Sequence, residues 1–446
     1  MLKKVLIANR GEIAVRVIRA CRELGIKTVA VFSTADRTAL HAKIADEAVC
    51  IGGPNTKDSY LNEQAILAAC EITGADAIHP GFGFLSENAG FSRNCEKCGI
   101  TFVGPAPESI EMLGDKASAK VAMKKAGVPV IPGSEGAVKT LEEAMKLGRE
   151  IGFPLMVKAS AGGGGRGIRL VEKEEDLETQ VMAAKQEAKN YFGDDSIYME
   201  RFIINPKHIE FQIIADKHGN AVHLGERDCS MQRRNQKVME ETPSTIMTPE
   251  LRERMGKAAV AAAKVCGYYN AGTIEFLVDS DHNFYFMEMN TRIQVEHPIT
   301  EFVTGIDLVK TQLKIAAGEK LPFTQEDVKL TGHSIECRIN AEDPSHGFRP
   351  SPGKIHALHT PGGPGVRIDS SVYQGYTIPP YYDSMIAKLI VYAATREDAI
   401  MKMRWALAEF IVEGVVTNID FQLELLRDPL FEDGSYDIGY LGRKMK

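Results

Sequence analysis

The chain has no apolar run of 18 residues, so nothing in it is expected to cross a bilayer as a helix. It has no excess of positive charge: 53 Lys and Arg against 60 Asp and Glu leave a net charge of -7. A grip on nucleic acid or on an anionic membrane needs a concentrated basic surface. Neither is an expected partner, and an anionic ligand would have to find local cations. The eight cysteines are spread through expected helices and strands, as reduced and mostly buried thiols are, and form no disulfide framework. The one CxxC, Cys95 with Cys98, has no second pair and no nearby His, so it reads as two thiols a turn apart on a helix and not as a zinc or redox site. The opening MLKKVLIANRGEI has too short an apolar run for a signal peptide, which points to a cytoplasmic chain. There is no internal repeat and no low-complexity tract.

What is present is the composition of an ordinary globular protein, 44% apolar and 25% charged. A chain of 446 residues suggests roughly three lobes at about 150 residues per domain. KKVLIAN, the helical EIAVRVIRACRELG and TVAVFS form a βαβ unit, hence a parallel sheet. The first βα turn, residues 8 to 12, lacks the G-x-G-x-x-G fingerprint, which weakens a dinucleotide-binding reading. A helix ending at Gly127 leads into the Pro and Gly cluster VPVIPGS, a lobe boundary.

The run from Gly162 to Gly167 has apolar PLMVKA before it and IRLV after it. That frame is strand, loop, strand, without the helix of a Rossmann turn or the Lys-Ser/Thr of a P-loop. A loop with so much bare backbone can close its N–H groups over phosphates, with Lys158 as a nearby cation. In KHIEFQIIAD, His208, Glu210 and Gln212 fall on one face of a strand, and in HSIECRINAED so do Glu336, Arg338 and Asn340. Each face suits a solvated surface or a cleft lining. The run from Thr273 to Asn290 reads as a hairpin turning at DSDHN, which brings Glu275 opposite Met287 or Glu288. Glu275, Glu288 and Asn290 then converge as three oxygen ligands suited to a hard cation such as Mg²⁺. A phosphate-closing loop and a magnesium hairpin together indicate an ATP-dependent enzyme.

The motifs ANRGEIAVRVIRAC, HPGFGFLSEN, KASAGGGGRG, ERDCSMQRRNQKV, EMNTRIQVEHPITE and PPYYDSMIAKL, in this order, resemble those of biotin carboxylase, an ATP-grasp enzyme. The resemblance covers essentially the whole chain, and the length is similar to that of the free-standing bacterial subunit of acetyl-CoA carboxylase. It implies an α/β fold, α+β overall, of three lobes. These are a Rossmann-like domain at 1–114, an ATP-grasp region at 115–330 that includes a small mobile lid at 131–203, and a C-terminal domain at 331–446.

The resemblance also implies site residues. Lys116, Lys158, Gly164, Gly165, His208 and Asn235 would contact ATP, with Glu200, Arg201, Phe202 and Ile203 on the adenine side. Glu275, Glu288 and Asn290 would hold Mg²⁺ or Mn²⁺. Glu296 would be the base that deprotonates bicarbonate, held by Lys237, Arg292 and the backbone N–H groups of Gln294 and Val295. Attack on the γ-phosphate would give carboxyphosphate, and Arg338 would stabilise the enolate-like biotin. The reading without function, Arg292 and Glu296 as an exposed i, i+4 pair, would contribute well under about 1 kcal/mol.

Three positions depart from the commoner pattern: Asn235 where His is frequent, Phe82 for Tyr, and Ala161 for Gly. Met401-Lys402-Met403 copies a biotin-acceptor core, yet REDAIMKMRWALAEF has helical spacing, so the biotin is expected on a separate carrier protein. A homodimer, that carrier and carboxyltransferase subunits are the implied partners. The final acceptor remains open among acetyl-CoA, propionyl-CoA and pyruvate. Other open readings are a different ATP-grasp ligase and a nucleotide-binding regulator without turnover. His297 and Pro298 are read as closing the turn after the base.

Overall fold

The computed structural model describes residues 2–445 apart from 160–167 and 193–194. The expected parallel sheet is there. Strands β1 (Lys4–Ile7), β2 (Lys27–Ser33), β3 (Glu47–Gly52), β4 (Ala77–His79) and β5 (Thr101–Phe102) lie in the order β3-β2-β1-β4-β5. Val5 and Ile7 enter one core and Leu6 the other, so β1 is covered on both faces, as a parallel strand must be. The turn from β1 into the helix Gly11–Glu23 is filled by the chain itself. Asn9 Nδ2 donates to the carbonyls of Pro80 and Phe82, both at 2.7 Å, where a dinucleotide-binding turn would leave its backbone open to a pyrophosphate.

A smaller antiparallel sheet, in the order β7-β6-β8, comprises β6 (Leu155–Ala159), β7 (Ile168–Val171) and β8 (Ile197–Arg201). It has its own core, in which Leu155, Val157 and Met199 meet Ala144 and Leu177 from the helices Leu141–Ile151 and Glu174–Phe192. The strand, loop, strand frame around the glycine run is therefore present. The run itself, with Ala161, Gly164 and Gly165, lies outside the described residues.

The largest sheet has eight strands. In spatial order they are β13 (Phe284–Asn290), β12 (Asn270–Val278), β9 (Lys207–Ala215), β10 (Ala221–Arg233), β11 (Gln236–Thr242), β14 (His333–Asn340), Met385–Ala393 and Val366–Ser370. All neighbours are antiparallel, and the sheet runs on without a break across residue 330. One face is apolar: Ile209, Phe211, Ile274 and Phe276 pack against the helix Pro249–Val265, and Ile335, Cys337 and Leu389 against the helix Arg396–Glu409. The other face is polar and yet mostly buried, because the helices His297–Thr304 and Gly11–Glu23 cover its C-terminal half.

Lys402 lies within the helix Arg396–Glu409, and its Nζ donates to the carbonyls of Pro364 and Tyr392 at 3.0 and 2.7 Å. It does not stand on a hairpin turn, so the helical reading of the Met-Lys-Met sequence holds. Cys95 is buried in the helix Ala89–Lys97, Cys98 caps that helix in solvent, and all eight cysteines are free. Among the described residues no helix is long and apolar enough to cross a membrane.

Candidate active site

Two of the sheet's register shifts decide which way Glu288, Asn290 and Lys237 face. Glu275 is paired with Glu288, while the next residue, Phe276, is paired with Phe286, so Met287 is an extra residue in β13. Phe284 and Phe286 point into the core. One inserted residue reverses the alternation, sending Met289 into the core and turning Glu288 and Asn290 to the side of Glu275. The hairpin was thus read correctly at DSDHN, and of the two partners left open for Glu275 the structure selects Glu288.

The second shift is in β11. Gln232 is paired with Lys237 but Met231 with Met239, so Val238 is the extra residue, and Lys237 faces the same side as Glu240. The result is a row of charges across four strands, Arg227, Glu210, Glu275 and Glu288, with Gln212, Thr273 and Asn290 in the neighbouring row. The polar face of KHIEFQIIAD is therefore a buried lining: His208, Glu210 and Gln212 are all excluded from solvent.

Lys237 is the hub. Its Nζ donates to Glu210 at 2.6 Å, Glu296 at 2.7 Å and Glu275 at 3.0 Å. Burial alone would pull its pKa down, but the carboxylates of Glu210, Glu275 and Glu296 push it well above the ordinary lysine value. Arg227, fully buried, is a second hub, donating to Glu210 at 2.5 Å, Gln212 and Gln294 at 2.8 Å and Thr300 at 2.9 Å. It locks the segment after β13 onto the sheet.

Glu296 receives Lys237 on one oxygen and Arg338 Nη2, at 3.0 Å, on the other. Burial disfavours its charge. Lys237, Arg338 and Arg227 outweigh that cost and hold the carboxyl well below the usual carboxylate range. Glu275 is held low in the same way by Lys237 and His208, whose Nε2 lies 2.9 Å from it. Its Oε1 also accepts from Asn290 at 2.8 Å and Gln294 at 2.9 Å. His208, Glu210 and Glu275 bring donor atoms within 4.8 Å of one another, as do Glu210, Cys229 and Glu296. The Lys237 ammonium already bonds to all three of those carboxylates, so that point is neutralised. The oxygen set expected for a divalent cation, Glu275, Glu288 and Asn290, lies on this same face, with Glu288 its solvent-exposed member.

Arg292 is not paired with Glu296. Its Nε donates to Glu87 at 2.9 Å and its Nη2 to the Asn290 amide oxygen at 2.9 Å. Gln294 and Val295 lie between β13 and the helix His297–Thr304. The Gln294 carbonyl accepts from His297 Nδ1 at 2.8 Å, so in a trans peptide the Val295 N–H points away from His297. The Val295 carbonyl accepts from Lys388 Nζ at 2.7 Å. Burial keeps His297 well below its ordinary pKa. The expectation that His297 and Pro298 only close a turn is corrected: they begin a helix, and the neutral His297 fixes the peptide before the candidate base.

Toward the smaller sheet, Lys158 and Lys120 both bond to Glu200, Lys120 at 3.3 Å. Ile203 is buried, Phe202 half-buried and Arg201 exposed. Asn235 is exposed at the tip of the β10–β11 turn, where Arg234 and Asn235 have φ of 50° and 64°. Asn tolerates that left-handed conformation well, a structural reason for its presence. Lys116 begins the helix Lys116–Lys125; its side chain is outside the described atoms.

Sequence reasoning missed Arg227, Glu87 and Lys388 as positioning groups, and left Glu210 unassigned. Arg227, Glu87 and Lys388 sit inside motifs already singled out, ERDCSMQRRNQKV, HPGFGFLSEN and PPYYDSMIAKL, and for Lys388 a lone charge in the apolar strand MIAKLIVYA was the available signal.

Residues 1–110 match the family described as Biotin carboxylase, N-terminal domain, 115–324 the Carbamoyl-phosphate synthase L chain, ATP binding domain, and 336–443 the Biotin carboxylase C-terminal domain. Biotin carboxylase 1 of Bacillus subtilis is 56% identical over 99% of this chain and 98% of its own length. Among solved structures, the biotin carboxylase domain dimer of Hydrogenobacter thermophilus 2-oxoglutarate carboxylase, in complex with MgADP, ADP and bicarbonate, is 55% identical. Its TM-score is 0.91 over 100% of this chain and 98% of that one. A Campylobacter jejuni biotin carboxylase in complex with β-γ-ATP is 52% identical, with a TM-score of 0.92 over 99% of both chains.

Proposed function

The chain belongs to the biotin carboxylase family, and from that premise we propose how its residues share the ATP- and bicarbonate-dependent carboxylation of biotin. The observation that carries the reading is Glu296, a buried carboxylate held between two fixed cations, Lys237 and Arg338. Bicarbonate is bound by Lys237, Arg292 and the N–H groups of Gln294 and Val295, and Glu296 removes its proton. Without substrate both cations bond to Glu296 and make it a weak base. Bicarbonate draws those donors onto itself, which raises the proton affinity of Glu296 when the proton to be taken is in reach. Arg338 then meets the negative charge that develops on the biotin ring, a preorganised cation needing no reorientation from solvent.

ATP is held by Lys116, Lys158, Gly164, Gly165, His208 and Asn235, with Glu200 to Ile203 beside the adenine. Glu275, Glu288 and Asn290 hold Mg²⁺ or Mn²⁺, which when bound neutralises phosphate charge. The chain acts as a homodimer, as the Hydrogenobacter domain does. Its biotin arrives on a separate carrier protein, since Lys402 is tied into a helix, and a carboxyltransferase completes transfer to the acceptor. Acetyl-CoA is the proposed acceptor, with pyruvate and propionyl-CoA as alternatives.

The test is ATP cleavage with bicarbonate, measured with and without free biotin. Stimulation by biotin is expected. Cleavage that depends on bicarbonate but ignores biotin would point to another ATP-grasp ligase and sink this reading. Proteins that co-purify with the chain identify the acceptor.

A further inference from the structure

Glu240 on β11 and Glu336 on β14 are direct cross-strand partners. Both are fully buried. Three of their four carboxyl oxygens, Glu240 Oε2 and both of Glu336, have no hydrogen-bond partner. Like charges directly opposite on a sheet are unfavourable even in water. In a dry interior two such carboxylates cannot both stay ionised. The fourth oxygen, Glu240 Oε1, accepts from Arg338 at Nε, 2.6 Å, and at Nη2, 2.5 Å. Nη2 is also the group that reaches Glu296. Arg338 therefore hangs between the pair and the candidate base.

We propose that Glu240 and Glu336 form a dyad that shares one proton and acts as the positioning element for Arg338. This rests on the role given to Arg338 above and deepens it. With one proton aboard, the dyad presents a single negative charge through Glu240 Oε1, enough to orient the guanidinium while leaving Nη2 for Glu296 or the substrate. When the proton leaves, a second negative charge sits beside Arg338 and draws the guanidinium away from the reacting groups.

The charged and titratable groups facing the dyad are few. Lys237 comes from β11 itself, Arg338 and the neutral thiol of Cys337 from β14, the neutral thiol of Cys229 from β10, and Lys388 from the strand Met385–Ala393. Arg367 and Asp369 come from Val366–Ser370, Glu12 from the helix Gly11–Glu23, and Glu296 and His297 from the start of the helix His297–Thr304. Lys388 is the cation nearest the pair from outside the site. It is engaged with Val295, with Glu12 at 3.2 Å and with Asp369 at 3.7 Å, so it does not neutralise the pair alone. Burial outweighs these cations and pushes Glu240 up to about 7 and Glu336 well above the carboxyl range, the direction a shared proton requires.

Infrared difference spectra of the intact protein against pH test the proton directly. A protonated-carboxyl carbonyl band that vanishes on alkalinisation is expected in the parent, and its loss in both Glu336→Gln and Glu240→Gln. A parent without such a band overturns the dyad, even if neither variant folds, and so does a band that survives both substitutions. The positioning role is read in kinetics. Glu240→Gln is expected to lower biotin-dependent turnover by about tenfold or more, the loss expected for one buried charged hydrogen bond. It is expected to lower biotin-independent ATP cleavage much less, and Glu336→Gln to move the alkaline limb of the biotin-dependent pH profile. Equal loss in both activities, or an unmoved limb, overturns it. If the parent ignores biotin the proposed function fails, while the infrared result still decides whether the dyad exists.

Discussion

At the level of single residues, the site is a set of buried charges arranged so that none stands alone. Desolvating a lone carboxylate or guanidinium is costly, and removing one member of a buried network leaves the others unpaired. Arg227 shows the consequence most plainly, since five side chains lose a donor when it goes. Arg227→Met is expected to cost about 3–5 kcal/mol of unfolding free energy, measured by urea denaturation, although its side chain is assigned to none of the three substrates. Glu296→Gln acts differently. Gln keeps the shape but cannot take a proton, so bicarbonate-dependent ATP cleavage is expected to fall by about a hundredfold or more, with nucleotide affinity nearly unchanged by calorimetry. A variant that turns over like the parent would remove Glu296 as the base.

At the level of elements, what re-aims the side chains is a pair of extra residues in strands. The hairpin and its turn were legible because Phe284 and Phe286 and then Asp279 to Asn283 carry the alternation and turn signals of a hairpin, while the partner of Glu275 stayed open between Met287 and Glu288. The bulges at Met287 and Val238 were not, because nothing in FME or QKV departs from ordinary strand composition, and register is a property of two strands together. The same limit hid Arg227, whose partners come from β9, β12 and the segment after β13. Deleting Met287 removes the extra residue, so Phe286 and Glu288 become neighbours on opposite faces and Glu288 still faces Glu275. Mg²⁺-dependent strengthening of ADP binding, followed by calorimetry, should therefore survive that deletion and disappear in Glu288→Ala. Retention of the Mg²⁺ effect in Glu288→Ala would show that Glu288 is not a ligand.

At the level of the whole molecule, opposing buried titrations set the response to pH. Burial holds His41 and His79 near 4 and raises Glu12 and Glu240 to about 7. Between roughly pH 4.5 and 6.5 the unfolded chain carries protons on those histidines that the folded one lacks, so their contribution to stability rises with pH. In the same window the folded chain carries one proton on Glu12 and one on the Glu240–Glu336 dyad that the unfolded one has released, so their contribution falls as pH rises. His297 and His223, both held low by burial, add to the rising side. The slopes cancel only in part, and the parent is expected to show a thermal midpoint that rises gently across this window. Glu12→Gln removes one falling contribution while preserving shape beside Lys388. Its unfolding free energy is expected to gain a slope of about 1.4 kcal/mol per pH unit, one proton's worth, rising from pH 5 to 6.5. Denaturation curves at three pH values decide it. A variant no steeper than the parent would mean that Glu12 is ionised in the fold, with Lys388 and not a bound proton balancing its charge.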